Sequence, residues 1–135
     1  MSWLLDTTTL SFLMRGDEKV RAHLTTHPRT SVYVCQPVIA EIEYGLARLP
    51  RSGRKTRLRH RFDVFLKELL RADWTDEVSR QFGRVKADLE KRGVRLEDFD
   101  VAIAAHALAL DAVLVTDNVA HLERVTGLTV ENWRT

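Results

Sequence analysis

Four carboxylates in this 135-residue chain stand where strand ends and helix starts would carry them to a common rim. Asp6 directly follows the apolar run Trp3-Leu4-Leu5, and Asp117 follows Val113-Leu114-Val115-Thr116. Asp100 opens the helical stretch just before that second run, and Glu41 lies one turn into the helix after Val32-Tyr33-Val34. In an open parallel sheet the carboxyl ends of the strands are where ligands collect. Acids crowded into one small space repel each other, which raises their pKa values unless a cation compensates. An all-oxygen donor set, with neither Cys nor an organised group of His, suits magnesium or manganese rather than zinc. Such an ion lowers the pKa of a bound water and shields phosphate charge, the chemistry of phosphodiester hydrolysis.

Each acid taken singly also has a plainer use. Asp6 before three threonines makes a good helix N-cap, Asp100 suits the positive end of a helix, and Asp117-Asn118 suits a turn. Glu43 lies about 200° around its helix from Glu41, so the two would not serve one site. The helix that Asp98 and Asp100 open is apolar nearly all round, and periodicity leaves open which of them faces inward.

The elements that must position these residues follow from patterning. Trp3-Leu5, Val32-Val34 and Val113-Val115 are continuous short apolar runs, as strands buried on both faces require, and Leu128-Thr129-Val130 reads as a last short strand. Between them lie helical signals: a short helix after Asp6 closed by Gly16, one from Asp17 to about Thr26, and one opened by Pro37. Val78, Phe82, Val85 and Leu89 lie at i, i+4, i+7 and i+11 and are followed by Gly93, which marks a long amphipathic helix. Asp98 is placed to cap the next helix, Trp74 to mark a brief edge strand, and Ala120–Val125 to form one or two helical turns. Strands alternating with helices predict a three-layer α/β/α domain around a central, mainly parallel sheet, with residues 1–135 forming one domain.

Composition agrees. With 44% hydrophobic and 30% charged residues, the chain is neither disordered nor collagen-like. A single cysteine, Cys35, excludes an intrachain disulfide and predicts a reducing, cytoplasmic setting. No apolar run is long enough to cross a bilayer, and Asp6 interrupts the position a signal peptide would need. The net charge is only +2, but residues 1–61 carry eleven Lys/Arg against five Asp/Glu, whereas residues 62–135 carry ten against fourteen. A chain polarised in this way can offer a basic surface to a polyanion and keep its acids for another task.

The segments Leu4-Leu5-Asp6-Thr7, Ile39-Ala40-Glu41-Ile42-Glu43-Tyr44-Gly45, Phe99-Asp100-Val101-Ala102-Ile103-Ala104-Ala105-His106-Ala107 and Leu114-Val115-Thr116-Asp117-Asn118, with the closing Gly127-Leu128 to Asn132-Trp133, resemble PIN-domain ribonucleases. They look most like the VapC-type toxins of bacterial toxin–antitoxin pairs, over essentially the whole chain and in order. The resemblance implies a PIN-like fold and an endoribonuclease that depends on Mg2+ or Mn2+ and leaves 5′-phosphate and 3′-hydroxyl ends. It implies an acid quartet of Asp6, Glu41, Asp100 and Asp117 that holds the metal. Asp100 is favoured over Asp98 because it directly follows Phe99 and precedes Ile103 by three. Thr7, Thr116 and Asn118 are implied as polar supports beside these ligands, and Thr8 stands where the family often has Asn. A VapB-type antitoxin and a homodimer are implied as partners, with RNA as substrate. The alternative is a catalytically degenerate PIN-like module that binds RNA or protein.

Other features carry less. Arg51–Arg61 holds six Lys/Arg and no acid, so Arg54, Lys55, Arg57, Arg59 and Arg61 are candidates for RNA-backbone contact. His23 and His27 have helical metal-pair spacing but no accompanying glutamate, and Pro28 ends their helix. His106 is expected as a packed, hydrogen-bonded core histidine, Cys35 as a small buried side chain, and Trp3, Trp74 and Trp133 as core or interface anchors. An aspartyl-phosphate mechanism would want a second Asp where Thr8 stands. No glycine-rich phosphate loop follows any strand.

Overall fold

The computed structural model describes all residues from Met1 to Thr135. Five strands form one sheet: β1 (Trp3–Leu5), β2 (Val32–Cys35), β3 (Leu70–Ala72), β4 (Val113–Val115) and β5 (Val130–Glu131), in the order β3-β2-β1-β4-β5. Every pairing is parallel. The chain builds outward from β1 through β2 to β3, then returns to lay β4 and β5 on the other side. The strand order therefore reverses between β1 and β4, which opens a crevice at their carboxyl ends.

Seven α-helices surround the sheet: α1 (Thr7–Met14), α2 (Glu18–Thr25), α3 (Gln36–Ala47), α4 (Gly53–Glu68), α5 (Asp76–Lys91), α6 (Asp98–Leu110) and α7 (Val119–Leu122). All three residues of β4 are buried, which requires cover on both faces and makes the architecture three-layered. Leu4, Leu5, Val32, Val34, Leu114 and Val115 are fully buried in one continuous core. Each contributes roughly 1.5–3 kcal/mol by leaving water. Helix α6 packs along α5 and also touches α3. Its buried stretch Val101–Ala107 explains why it shows no polar face. Gly93, at φ +70°, closes α5 and lets the Val94 amide reach back to the Leu89 carbonyl at 2.9 Å.

Three boundaries differ from the sequence reading. The edge strand is Leu70–Ala72 rather than a stretch at Trp74; Trp74 is half exposed and donates its indole N–H to the Ser79 hydroxyl at 2.8 Å. Helix α6 starts at Asp98 with Glu97 in the cap position and no side-chain cap bond, because Asp98 turns away to Lys86. The last strand falls at Val130–Glu131, although the Thr129 carbonyl already accepts from the Leu114 amide. No helix is long and apolar enough to cross a membrane.

Candidate active site

The crevice at the carboxyl ends of β1 and β4 collects the acids. Asp6 is one residue past β1, and its amide still donates to the Val115 carbonyl at 3.0 Å, so the sheet fixes its backbone. Its Oδ1 accepts the Thr9 amide at 2.8 Å, capping α1. The cap role and a place in the crevice thus coexist in one side chain that is only 9% exposed. Burial pushes the Asp6 carboxyl above its ordinary value. The Thr116 hydroxyl and the Thr9 amide and hydroxyl pull it down, and the negative charge of Asp117 pushes it further up. Thr116 is itself fully buried and accepts the Asn118 amide at 2.9 Å, which shapes the loop carrying Asp117.

Glu41 reaches the crevice from α3. The Thr7 hydroxyl donates to its Oε1 at 2.5 Å, tying α1 to α3 beside Asp6. Asp100 approaches from the first turn of α6 and is half-buried. Burial raises its carboxyl, Glu41 and Glu97 raise it further, and His121 opposes them. Asp98, two residues earlier, instead forms an ion pair with Lys86 of α5 at 3.0 Å. The structure thereby separates the two acids that periodicity left open: Asp98 is paired with a cation, and Asp100 faces another acid. Glu41, Asp100 and Asn118 line a cavity of about 1090 Å³ whose walls also carry Glu90, Glu97 and Asp98 against Lys86 and Arg95.

The acids couple as two pairs, Asp6 with Asp117 and Glu41 with Asp100. Cys35, at the end of β2, feels both halves: burial pushes its thiol up to about 12, and Glu41 and Asp6 add to the rise. No three of these acids stand close enough to enclose a metal ion by themselves. The donor set nevertheless has the chemistry of a hard-cation site. It is all oxygen, and a divalent ion would relieve a repulsion already present in each pair.

The basic candidates of α4 are dispersed into structural contacts. Arg59 forks onto Glu43 at 3.0 and 2.5 Å and approaches Asp63 at 3.6 Å. That fork holds the Glu43 carboxyl below its usual range. Arg61 donates to the Met14 carbonyl at 3.0 Å and Lys55 to the Leu49 carbonyl at 3.1 Å. Arg57 is exposed, and Arg54 lines a smaller groove of about 380 Å³ with Thr7, Thr8 and Glu41. Three of the five candidates in segment 51–61 are thus engaged within the chain, Arg59 by carboxylates and Lys55 and Arg61 by carbonyls.

Residues outside the sequence-predicted set also reach the site. Arg134 lies 4.0 Å from Asp117 through Nη1. It arrives because β5 pairs in parallel with β4 and carries the residues after it to the same carboxyl edge, a neighbourhood that no local spacing announces. His121 faces Asp100 from α7. His23 and His27 stack on Trp133 at ring separations of 5.7 and 4.8 Å, so their rings serve packing. His106 is fully buried, with Nδ1 2.7 Å from the Ala102 carbonyl and Nε2 unpartnered beside the edge of Trp74.

The whole arrangement, from β1 to the loop before β5, matches one family model, that of the PIN domain, across residues 3–128. The chain belongs to the PIN-domain family. Among PIN-domain relatives, ribonuclease VapC2 of Rickettsia felis is 31% identical over 103 residues, covering 76% of this chain and 75% of that protein. Ribonuclease VapC2 of Haemophilus influenzae is 27% identical over 133 residues, 98% of each chain. The tRNA(fMet)-specific endonuclease VapC of Salmonella typhimurium is 24% identical over 134 residues, again 98% of each. Among solved structures, the VapBC2 complex of Rickettsia felis bound to a promoter DNA fragment contains a chain that superposes with a TM-score of 0.88 at 27% identity, covering 98% of this chain and 99% of that one.

Proposed function

We propose that this PIN-domain chain is the endoribonuclease toxin of a toxin–antitoxin pair, hydrolysing RNA phosphodiester bonds at the β1–β4 crevice and neutralised by a VapB-type antitoxin. The observation that carries this reading is the gathering of acids in like-charged pairs at the strand-order reversal: Asp6 beside Asp117, and Glu41 beside Asp100, each pair with one carboxyl raised by burial and its neighbour. Like charges held together weaken a fold, and sites that tolerate such a cost are commonly functional.

Asp6, Glu41, Asp100 and Asp117 would hold Mg2+ or Mn2+. When bound, such an ion supplies a water of lowered pKa and shields the charge of the scissile phosphate. The chain's own contribution is positional. The Thr9 amide occupies one oxygen of Asp6 and fixes the carboxylate plane. Thr7 orients Glu41 through its hydrogen bond, leaving Oε2 of Glu41 without a hydrogen bond in the chain. Thr116 braces Asp6 and the Asp117 loop together.

The relatives named above are called ribonucleases, which supports RNA cleavage, and one structural neighbour is a VapBC assembly, which supports a cognate antitoxin as partner; we extend the proposal to a cytoplasmic homodimer. Incubating the purified chain with structured RNA and Mg2+ or Mn2+ should give endonucleolytic products that a chelator prevents and that Asp100→Asn abolishes. Retained RNA or antitoxin binding without any cleavage would instead establish the degenerate binding module.

A further inference from the structure

Beside the acids, on the outward side of α1, two guanidinium groups share one aromatic ring. Arg134 lies 3.8 Å from the centroid of Phe12, and Arg15 lies 4.9 Å from it. Cation–ring attraction seats each group, but it also makes the two cations neighbours. Arg15 has no carboxylate partner; its hydrogen bonds go only to the Ser11 carbonyl and hydroxyl, at 3.4 and 3.2 Å. Arg134 donates Nε to Asp17 at 3.3 Å, and neither Nη makes a hydrogen bond within the chain. The Nη edge faces Asp117 at 4.0 Å, beyond hydrogen-bond reach.

Anchoring the chain terminus does not require Arg134. Trp133 already does that, being 1% exposed, stacked on His27 and bonded through its indole N–H to Glu131 at 2.8 Å. What remains is a planar donor fork, held by a ring and a carboxylate, with its spare N–H groups at the edge of the acidic crevice. Such a fork matches a phosphate. Arg15 continues the same cationic row into the groove that Glu41 and Thr7 line from the other side.

We infer that Arg134 and Arg15 bind RNA backbone phosphates flanking the scissile bond, so that the strand crosses the crevice over Phe12 rather than along α4. This rests on the ribonuclease reading above. The test is the salt dependence of binding of a fluorescein-labelled single-stranded RNA to the full chain, carried in an Asp100→Asn background that keeps the RNA intact. Losing one phosphate contact on a single strand lowers the slope of log affinity against log salt by about 0.7. Arg134→Gln and Arg15→Gln should each reduce it by about that amount, Arg134→Lys should retain most of it, and Arg80→Gln on α5, which breaks only an exposed pair with Glu77, should leave it unchanged. Thermal melts of each variant report folding separately. Unchanged slopes in Arg134→Gln and Arg15→Gln, with RNA still bound, would overturn the inference and leave the row to an acidic protein partner. Absence of RNA binding by the parent chain at low salt would count against the ribonuclease reading instead.

Discussion

The crevice and helix α4 both concentrate charge, and they treat it in opposite ways. In the crevice, carboxylates are buried or half-buried next to other carboxylates, and the nearest cation, Arg134, stands 4.0 Å from one of them. Along α4, exposed cations find carboxylates or carbonyls of their own chain. The basic run is more conspicuous in the sequence, yet it is largely spent on holding α4 against α3 and α1. The sparse acids, scattered over more than a hundred positions, are the ones set beside like charge, with Arg134 near Asp117 as their only ion pair. Like charge held together, rather than charge density, separates a site from a surface.

Substitutions should break this contrast from one side and sharpen it from the other. The largest effect is expected from Asp6→Asn and Asp100→Asn, whose RNA cleavage should fall by more than the roughly 10–100-fold that loss of an outer partner costs a metal site. Gel-resolved turnover against the parent chain measures it, and either variant cleaving at the parent rate would remove that acid from the mechanism. Next comes Thr7→Val, which takes away the hydrogen bond to Glu41; cleavage should drop within that 10–100-fold range while the fold persists, as judged by circular dichroism.

The acids should also reveal themselves through pH. Both carboxyls are raised above their ordinary value of 3.8, so the folded state holds their protons more tightly than the unfolded chain does. Their contribution favours folding below 3.8 and is lost as pH rises through the folded values. Asp6→Asn and Asp100→Asn should therefore melt higher than the parent at neutral pH, with the gap closing as pH falls toward 3.8. Asn still caps α1 in the first variant. A gap that widens on acidification would contradict the burial argument. The smallest effect is expected on α4, where Arg59→Ala breaks an exposed pair and should cost about 0–1 kcal/mol in a denaturant titration, with cleavage unchanged.

Much of this arrangement was legible before any coordinates. Uninterrupted runs such as Val113-Leu114-Val115 announce strands covered on both faces, and acids just past them must lie at the carboxyl edge of a parallel sheet. The illegible parts have identifiable causes. Asp98 and Asp100 could not be told apart because α6 is buried nearly all round and shows no preferred face; only Lys86, twelve residues away on α5, decides it. Strand β3 is hidden in the sequence because Leu70-Arg71-Ala72 is a three-residue edge with two exposed side chains, and nearby Trp74 is the stronger strand signal. The pairing of Arg59 with Glu43 and the approach of Arg134 to Asp117 depend on how helices and strands lie side by side, which charge patterning along the chain does not contain.

Cys35 ends β2 with its thiol entirely enclosed and its titration displaced to about 12. The thiolate is the form that attacks alkylating and oxidising reagents, so at neutral pH the folded molecule presents them with almost nothing to react with. Because this is the chain's sole sulfhydryl, its labelling rate becomes a built-in clock for opening events. Modification should proceed only as fast as β2 is released from the sheet, which lets the kinetic durability of the fold be followed without adding a probe.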